Sequence, residues 1–332
     1  MISRRGFVRG LTAAGAVSSL GLSAVRAAAA PPPETTTLKL LITPSLCTAP
    51  QYLAEDLLKS EGFTDVKYLR TDVAGITKAL ASGAADITLH FVGPSIIEID
   101  AGVPLVMLAG GHVGCFELFG TDRVRAIRDL KGKTVAVTQL GLTQHVFLAS
   151  MVAHVGLDPQ KDVNFVALPS AEAKQMLADG RINAYLGFPP DPQELREKKI
   201  GHVIVNSAID RPWSQYFCCM VTTSREFLRK NPVATKRALR AILKAADLCA
   251  FEPERAARSL IDKRLTERYD YARQIMNDVP YNKWREYTPE DTIRFYALRL
   301  HEAGMIRSSP QKILAQGTDW RFLNELKKEL KG

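Results

Sequence analysis

The chain of 332 residues has no block of basic residues interleaved with aromatics, and so lacks the electrostatic footprint of a nucleic-acid binder. Its basic residues are dispersed among acids, as in Arg225-Glu226 and Glu254-Arg255. No nucleophile-elbow, P-loop or HExxH sequence occurs, so the chemistries those motifs serve are not indicated. There is no internal sequence repeat. Beyond the first thirty residues, no apolar run reaches the roughly 20 residues that a membrane-spanning helix needs. Cysteine is sparse: Cys47, Cys115, Cys218, Cys219 and Cys249. An odd number leaves at least one thiol unpaired in an oxidising compartment. Adjacent Cys218 and Cys219 on a strand would point to opposite faces, which disfavours a bond between them. Buried free thiols that pack as small hydrophobes are the expectation.

The chain opens with Ser3-Arg4-Arg5-Gly6-Phe7-Val8-Arg9, then an apolar stretch from Leu11 to Val25, then four alanines before Pro31. A basic head, a short apolar middle and small residues at a cleavage point are the parts of an export signal, here of the twin-arginine kind. No cysteine follows closely enough to take a lipid. Residues 1–30 are therefore expected to be a signal peptide on a soluble periplasmic protein. Its removal takes away four arginines and no acids, which lowers the formal charge from +9 to +5. That leaves at most a weak bias toward anionic ligands.

After the leader Pro31-Pro32-Pro33, the pattern alternates short apolar runs with helical periodicity. Strands are expected at 38–43, 66–71, 87–92, 105–109 and 115–121. Helices are expected at 50–61, 75–82 and 94–100. A second series follows, with strands at 134–138, 163–168, 182–188, 203–206 and 216–223 and helices at 142–155, 170–179 and 193–199. Glycines such as Gly62, Gly156 and Gly180 mark helix ends. From Asn231-Pro232 onward the pattern is helical. Two βα series imply two doubly wound α/β domains with a helical C-terminal tail, and a ligand site in the cleft between them.

Four stretches carry a family resemblance: Gly83-Ala84-Ala85-Asp86-Ile87, the run Asp129-Leu130-Lys131-Gly132-Lys133-Thr134-Val135, Gly156-Leu157-Asp158-Pro159, and Arg225-Glu226-Phe227-Leu228 before Asn231-Pro232. In this order they resemble the periplasmic substrate-binding proteins of nitrate, sulfonate and taurine ABC importers, a superfamily that includes proteins similar to thiamine-pyrimidine synthase. The resemblance covers residues 38–225. It implies a type II periplasmic binding protein: two α/β domains joined by crossing strands at 115–121 and 216–223. Domain one is then residues 34–118 together with 222–332, and domain two is 119–221. It also implies a monomer without a cofactor that closes on a small molecule and hands it to an ABC permease in the inner membrane. A periplasmic sensor subunit is the alternative, and a synthase-like enzyme the remoter one. That enzyme family carries three consecutive cysteines, whereas this chain has only Cys218-Cys219.

The resemblance places ligand-facing loops at 45–48, 72–75, 91–95 and 111–115 in domain one and at 139–145 and 188–191 in domain two. Candidate ligand residues are Ser45, Thr48, Gly93, Ser95, His112, Cys115, Thr143, His145, Phe188, Asp191, Trp213 and Tyr216. The glycine-rich turns before helices could bind through free backbone N–H groups or merely cap those helices. His145 either faces the ligand or lies on the helix surface. Asp191 either pairs with an amine or caps a helix. Trp213 and Tyr216 suit either ring stacking or hinge packing. His112 and Cys115 with Cys218 and Cys219 form only a weak pattern for a soft metal, and no metal is expected. These loops contain no Arg or Lys, which points away from a multiply charged ligand. Neutral heterocycles or monocarboxylates fit better.

Overall fold

The computed structural model describes residues 31–330, so the expected export signal lies outside the described residues. The first series of elements is β1 (Thr37–Ile42), α1 (Ala49–Leu53), α2 (Glu55–Ser60), β2 (Asp65–Arg70), α3 (Gly75–Ala81), β3 (Ile87–Phe91), α4 (Val92–Asp100) and β4 (Leu105–Val113). The second is β5 (Glu117–Gly120), β6 (Thr134–Val137), α5 (Thr143–His154), β7 (Asn164–Ala167), α6 (Ser170–Ala178), β8 (Ala184–Gly187), α7 (Asp191–Glu197) and β9 (His202–Asn206). Strand β10 (Phe217–Ser224) then leads into α8 (Arg225–Lys230), α9 (Pro232–Phe251), α10 (Pro253–Asp262), α11 (Tyr269–Asp278), α12 (Pro289–Glu302), α13 (Pro310–Gly317) and α14 (Arg321–Glu329). The helix expected at 50–61 is broken at Ala54 into α1 and α2. The one expected at 94–100 starts earlier, directly after β3. Gly93 and Pro94 fit there because the first turn of a helix needs no backbone donors.

The strand order in the second half is β7-β6-β8-β5-β9, with β5 antiparallel to both of its neighbours. In the first half β1 pairs with β2, and β10 lies between β3 and β4, antiparallel to both. Strands β1 and β3 share no ladder, but side chains join them. The Asp86 carboxylate accepts from Lys39 N at 2.8 Å, while Asp86 N donates to Lys39 O at 2.8 Å. Farther along, the buried Gln51 amide donates to Leu41 O at 2.7 Å and accepts from Leu89 N at 2.7 Å and Thr88 Oγ1 at 3.0 Å. With these links the first half reads β2-β1-β3-β10-β4, the same order and sense as the second. The second half repeats both devices. Asn183 accepts from Thr134 N at 3.0 Å and donates its own N–H to Thr134 O at 2.9 Å. Gln144, on the first helix after β6, donates to Leu186 O at 2.7 Å and accepts from Thr138 N at 3.2 Å.

The chain crosses between the halves twice, at 114–116 and at 207–216. The expected crossing strands are thus not shared between sheets. Each strand belongs to one sheet, and irregular backbone carries the crossing. Gly114 is required at the first crossing: its φ is +31°, and a Cβ there would lie 2.3 Å from Ser207 O on the second. Ser207 Oγ accepts from Cys115 N at 3.1 Å and Phe116 N at 2.9 Å, which ties the crossings together. Beside them Glu117 pairs with Arg196 of α7, whose other nitrogen reaches Asp278 of α11 at 2.5 Å.

The main apolar core runs through both halves. A smaller one, containing Phe119, Leu177, Tyr185 and Leu195, lies under α6 and α7. Helix α9 buries Ala234, Ala238, Ala241, Ala245 and Cys249, small residues that let it lie close on α1 and α2. Helices α4 and α12 both pack on α5, whose residues 146–152 are buried all round. Among the described residues no helix is long and apolar enough to cross a membrane.

Two consequences are measurable. Gln51→Leu keeps the volume but strands Leu41 O, Leu89 N and Thr88 Oγ1 without their partner. At about 1–3 kcal/mol for an unmade buried hydrogen bond, it is expected to cost roughly 2–5 kcal/mol in urea unfolding. A loss under about 0.5 kcal/mol would show that the amide is not what joins the strands. For Glu117, burial pushes the carboxyl up to about 7 from its usual 4.5; Arg196 opposes the shift and Asp278 adds to it. A raised acid binds its proton more tightly in the fold, so stability should fall as pH rises from about 4.5 through 7. The span is at most roughly 3 kcal/mol. Glu117→Gln should flatten that part of the stability–pH curve, and an unchanged slope would refute the assignment.

Candidate functional site

A small cavity of about 40 Å³ lies where the carboxyl ends of β1 and β3 meet the loops after β6 and β8. This is where open α/β sheets bind ligands. The first half contributes Thr43, Ser45, Cys47 and Thr48 after β1, Val73 and Ile76 around the start of α3, and Leu89, His90 and Phe91 from β3. The crossing contributes Cys115 and Phe116, the second half Thr143 and Phe188, and β10 contributes Cys219. Leu46 N donates to Pro189 O at 3.4 Å, so the two loop systems touch beside the cavity.

The wall is built from apolar, hydroxyl, thiol and imidazole side chains. Among the described residues, no Lys, Arg, Asp or Glu lines it. Burial pushes His90 down to about 4, so this ring is neutral at neutral pH. Its Nε2 lies 3.3 Å from Thr77 Oγ1. Phe91 and Phe116 meet edge-to-face at 5.1 Å, and Phe116 and Phe188 at 6.3 Å, giving an aromatic side. The rest of the wall is rich in hydroxyls and thiols. There Thr48 Oγ1 donates to Tyr52 Oη at 2.9 Å, and Ser45 Oγ lies 3.0 Å from Cys47 Sγ. Thr143 Oγ1 is buried with no hydrogen-bond partner among the described residues. Standing at the start of α5 and facing the cavity, it is a hydroxyl available to a ligand.

Of the sequence candidates, Ser45, Thr48, Cys115, Thr143 and Phe188 share this wall, and the others lie behind it. Gly93 sits in the first turn of α4, where a Cβ would be 2.7 Å from Val146 Cγ1, so its role is close helix packing. Ser95 donates back to Phe91 O at 3.0 Å. His145 accepts from Gly141 N at 3.1 Å and packs edge-on against Phe165. Asp191 is closed off by Tyr185 Oη at 2.5 Å, Ser170 Oγ at 2.6 Å and Lys174 Nζ at 2.8 Å. Trp213 packs among Phe147, His154 and Phe295, and Tyr216 stacks on Phe295 at 4.0 Å. His112 lies inside β4, which runs two residues past its glycines instead of ending in a loop.

Sequence reasoning placed Val73 and Phe91 in ligand-facing loops but did not pick out Thr43, Ile76, Leu89, His90, Phe116 or Cys219. Leu89, His90 and Cys219 sit on strands and read as core. Their apolar character hid that the ends of β1 and β3 face a space rather than another layer.

His112 and Cys218 come together with the wall residues Cys47, Cys115 and Cys219. Cys219 is registered opposite His112 across β10 and β4. The pairing slips between Phe217 and Cys219, so Cys218 is the extra residue of a bulge. That bulge lets Cys218 Sγ approach Cys115 Sγ to 3.4 Å, although strand alternation alone would turn it away. None of the five cysteines forms a disulfide. Hydrogen bonds from Cys115 and Cys219 pull the Cys47 thiol well down against burial, with His112 helping. Burial acts to lower His112, but Cys219 and Cys47 outweigh it and hold the ring well above its usual range.

The sequence pattern of the NMT1-like family matches residues 31–263. The 4-amino-5-hydroxymethyl-2-methylpyrimidine phosphate synthase THI5 of Saccharomyces cerevisiae is 26% identical over 253 residues, 71% of this chain and 71% of that protein. The nitrate/nitrite binding protein NrtA of Nostoc is 26% identical over 240 residues, 64% of this chain and 53% of that protein. Among solved structures, the periplasmic nitrate-binding protein NrtA from Synechocystis aligns with a TM-score of 0.74 at 16% identity, covering 91% of this chain and 90% of that one. The alkanesulfonate-binding protein SsuA from Xanthomonas axonopodis, bound to MOPS, aligns with a TM-score of 0.69 at 16% identity, covering 86% and 99%. The two matched α/β halves, the helical C-terminal segment and the cavity at the strand ends are thus the periplasmic binding protein fold. With the family pattern spanning more than two thirds of its length, the chain belongs to the NMT1-like family.

Proposed function

We propose that the chain is the exported solute-binding component of an ABC importer, and that it closes on a small, formally uncharged ligand with a flat ring, of the aminopyrimidine kind. The observation that carries this reading is the cavity wall: it combines aromatic rings with hydroxyls and thiols, and no Lys, Arg, Asp or Glu lines it among the described residues. Phe91, Phe116 and Phe188 offer apolar faces to a ring. Thr43, Ser45, Thr48 and Thr143 offer hydrogen bonds to its polar edge. The two halves, residues 34–118 with 222–332 and residues 119–221, act as domains that close about the crossings. The twin-arginine segment would send the chain to the periplasm, where as a monomer it would meet an inner-membrane permease.

The cavity also bears on the enzymatic alternative. The relatives named as synthases make a pyrimidine phosphate. A phosphate carries a double charge, which a buried site meets with Arg or Lys. This wall offers neither among the described residues, which favours binding over synthesis. The same argument weighs against nitrate and sulfonates.

Native mass spectrometry of the purified full chain, followed by thermal-shift titration, tests the reading. Aminopyrimidines are expected to raise Tm by mass action, while nitrate, alkanesulfonates and inorganic phosphate leave it unchanged. Thr143→Val should weaken ligand binding roughly 5–10-fold, the worth of one hydrogen bond of about 1–1.5 kcal/mol, with the ligand-free Tm unaltered. Stabilisation by nitrate or a sulfonate but by no pyrimidine would reject the proposed ligand class.

A further inference from the structure

The ligand reading counts the wall's thiols but gives no role to the cluster they form with His112 and Cys218. Its side chains come from three separate places: the turn after β1 (Cys47), the end of β4 and the first crossing (His112, Cys115), and the bulge of β10 (Cys218, Cys219). All five residues are buried. Ligand atoms of Cys47, His112 and Cys115 lie within 4.8 Å of one another, and so do those of His112, Cys218 and Cys219. Packing of small hydrophobes would explain the thiols but not the imidazole at their centre. His112 is fully buried, and its Nε2 has no partner among the described residues. Its Nδ1 lies 3.3 Å from Val113 O. With Nδ1 turned to that carbonyl, Nε2 is the ring atom left to a metal, which takes the place of the Nε2 proton.

We propose that this cluster is a zinc(II) site, in which His112 Nε2 and the thiolates of Cys47 and Cys115 hold one ion at the wall of the cavity. The donor set is imidazole and sulfur without a carboxylate, which selects a thiophilic ion over magnesium or calcium. Around tetrahedral zinc, at about 2.0–2.3 Å from each ligand, donor atoms stand roughly 3.3–3.8 Å apart, so only a small contraction of the cluster is needed. Two thiolates and a neutral imidazole cancel the charge of a divalent ion. That matters here, because among the described residues no Lys, Arg, Asp or Glu lines the adjoining cavity and burying net charge is costly. Binding leaves Cys47 and Cys115 as thiolates and His112 as a neutral imidazole; the protons these three groups give up go to solvent, and so binding strengthens with pH. Cys47 and Cys115 line the cavity, which gives the ion a way in and leaves its fourth position facing the bound molecule. Cys218 and Cys219 flank His112 on the other side.

The test uses the reduced, chelator-treated full chain with zinc(II) alone, in competition with a chromophoric chelator, and needs no organic ligand. It therefore stands or falls separately from the transport reading. One equivalent of zinc is expected, with cobalt(II) substitution producing a thiolate-to-metal charge-transfer band. His112→Gln and Cys47→Ser should each weaken binding at least about 10–100-fold and reduce that band. Cys249→Ser, a buried thiol in α9 outside the cluster, should leave both unchanged and so controls for general thiol effects. If the two cluster variants fold poorly, protection of Cys47 and Cys115 from alkylation by zinc in the unmodified protein supplies the second measurement. The proposal is overturned if the protein binds no stoichiometric zinc, if binding survives both cluster substitutions, or if zinc leaves the alkylation of both cysteines unchanged.

Discussion

The fold depends on side-chain amides that do the work of missing backbone hydrogen bonds. Strands β1 and β3 run side by side but form no ladder, and without Gln51 and Asp86 the first sheet would fall into two unconnected pieces. A buried strand edge with unpaired N–H and C=O groups is costly. Spanning the gap with a glutamine from the first helix solves this and fixes the height of that helix over the sheet. The helix start then sets the positions of Ser45, Cys47 and Thr48 at the cavity. Gln144 plays the same part in the second half and places its neighbour Thr143. The two sides of the cavity are therefore positioned by equivalent interactions.

That equivalence extends to topology. Both halves have an outer strand, two inner parallel strands, one antiparallel strand and a last edge strand, and in each the antiparallel strand arrives from beyond a crossing. Strand β5 follows the first crossing and β10 the second, so neither half is complete until the chain has passed through the other. The crossings thus couple the two sheets by chain connectivity. Gly114, Ser207 and the Glu117–Arg196–Asp278 group then hold them in register.

Most of the elements were legible in the sequence, because buried strands read as short apolar runs and helices end at glycines. The Asp86 segment stood out, and the structure gives its reason: the carboxylate bridges two strands, and apolar residues must follow it into β3. The halves do not align as a repeat, since Asp86 and Asn183 do one job with different chemistry. The site was half legible. Residues on loops, such as Ser45, Thr48, Thr143 and Phe188, carried a positional signal. His90 and Cys219 lie on strands whose pattern is that of a core, and only the tertiary arrangement opens a space in front of them. The approach of Cys218 to Cys115 needed a bulge, which shifts side chains by one position and leaves no compositional trace.

Where formal charges stand in this molecule bears on what it can hold. Near the cavity they are bound to one another: Lys174 to Asp191 and Glu194, and Arg196 to Glu117 and Asp278. These pairs lie behind the loops and keep them in place, and none of these residues forms part of the wall. A charged ligand would then lose its water without gaining a counter-charge, which is the unfavourable case for an ion in a low-dielectric site. A neutral ring with donors and acceptors at its edge loses far less on entry and can be matched by hydroxyls and thiols. Sulfur is the most polarisable atom on that wall, so Cys47, Cys115 and Cys219 are the lining residues that adapt most readily to a ring's electron distribution.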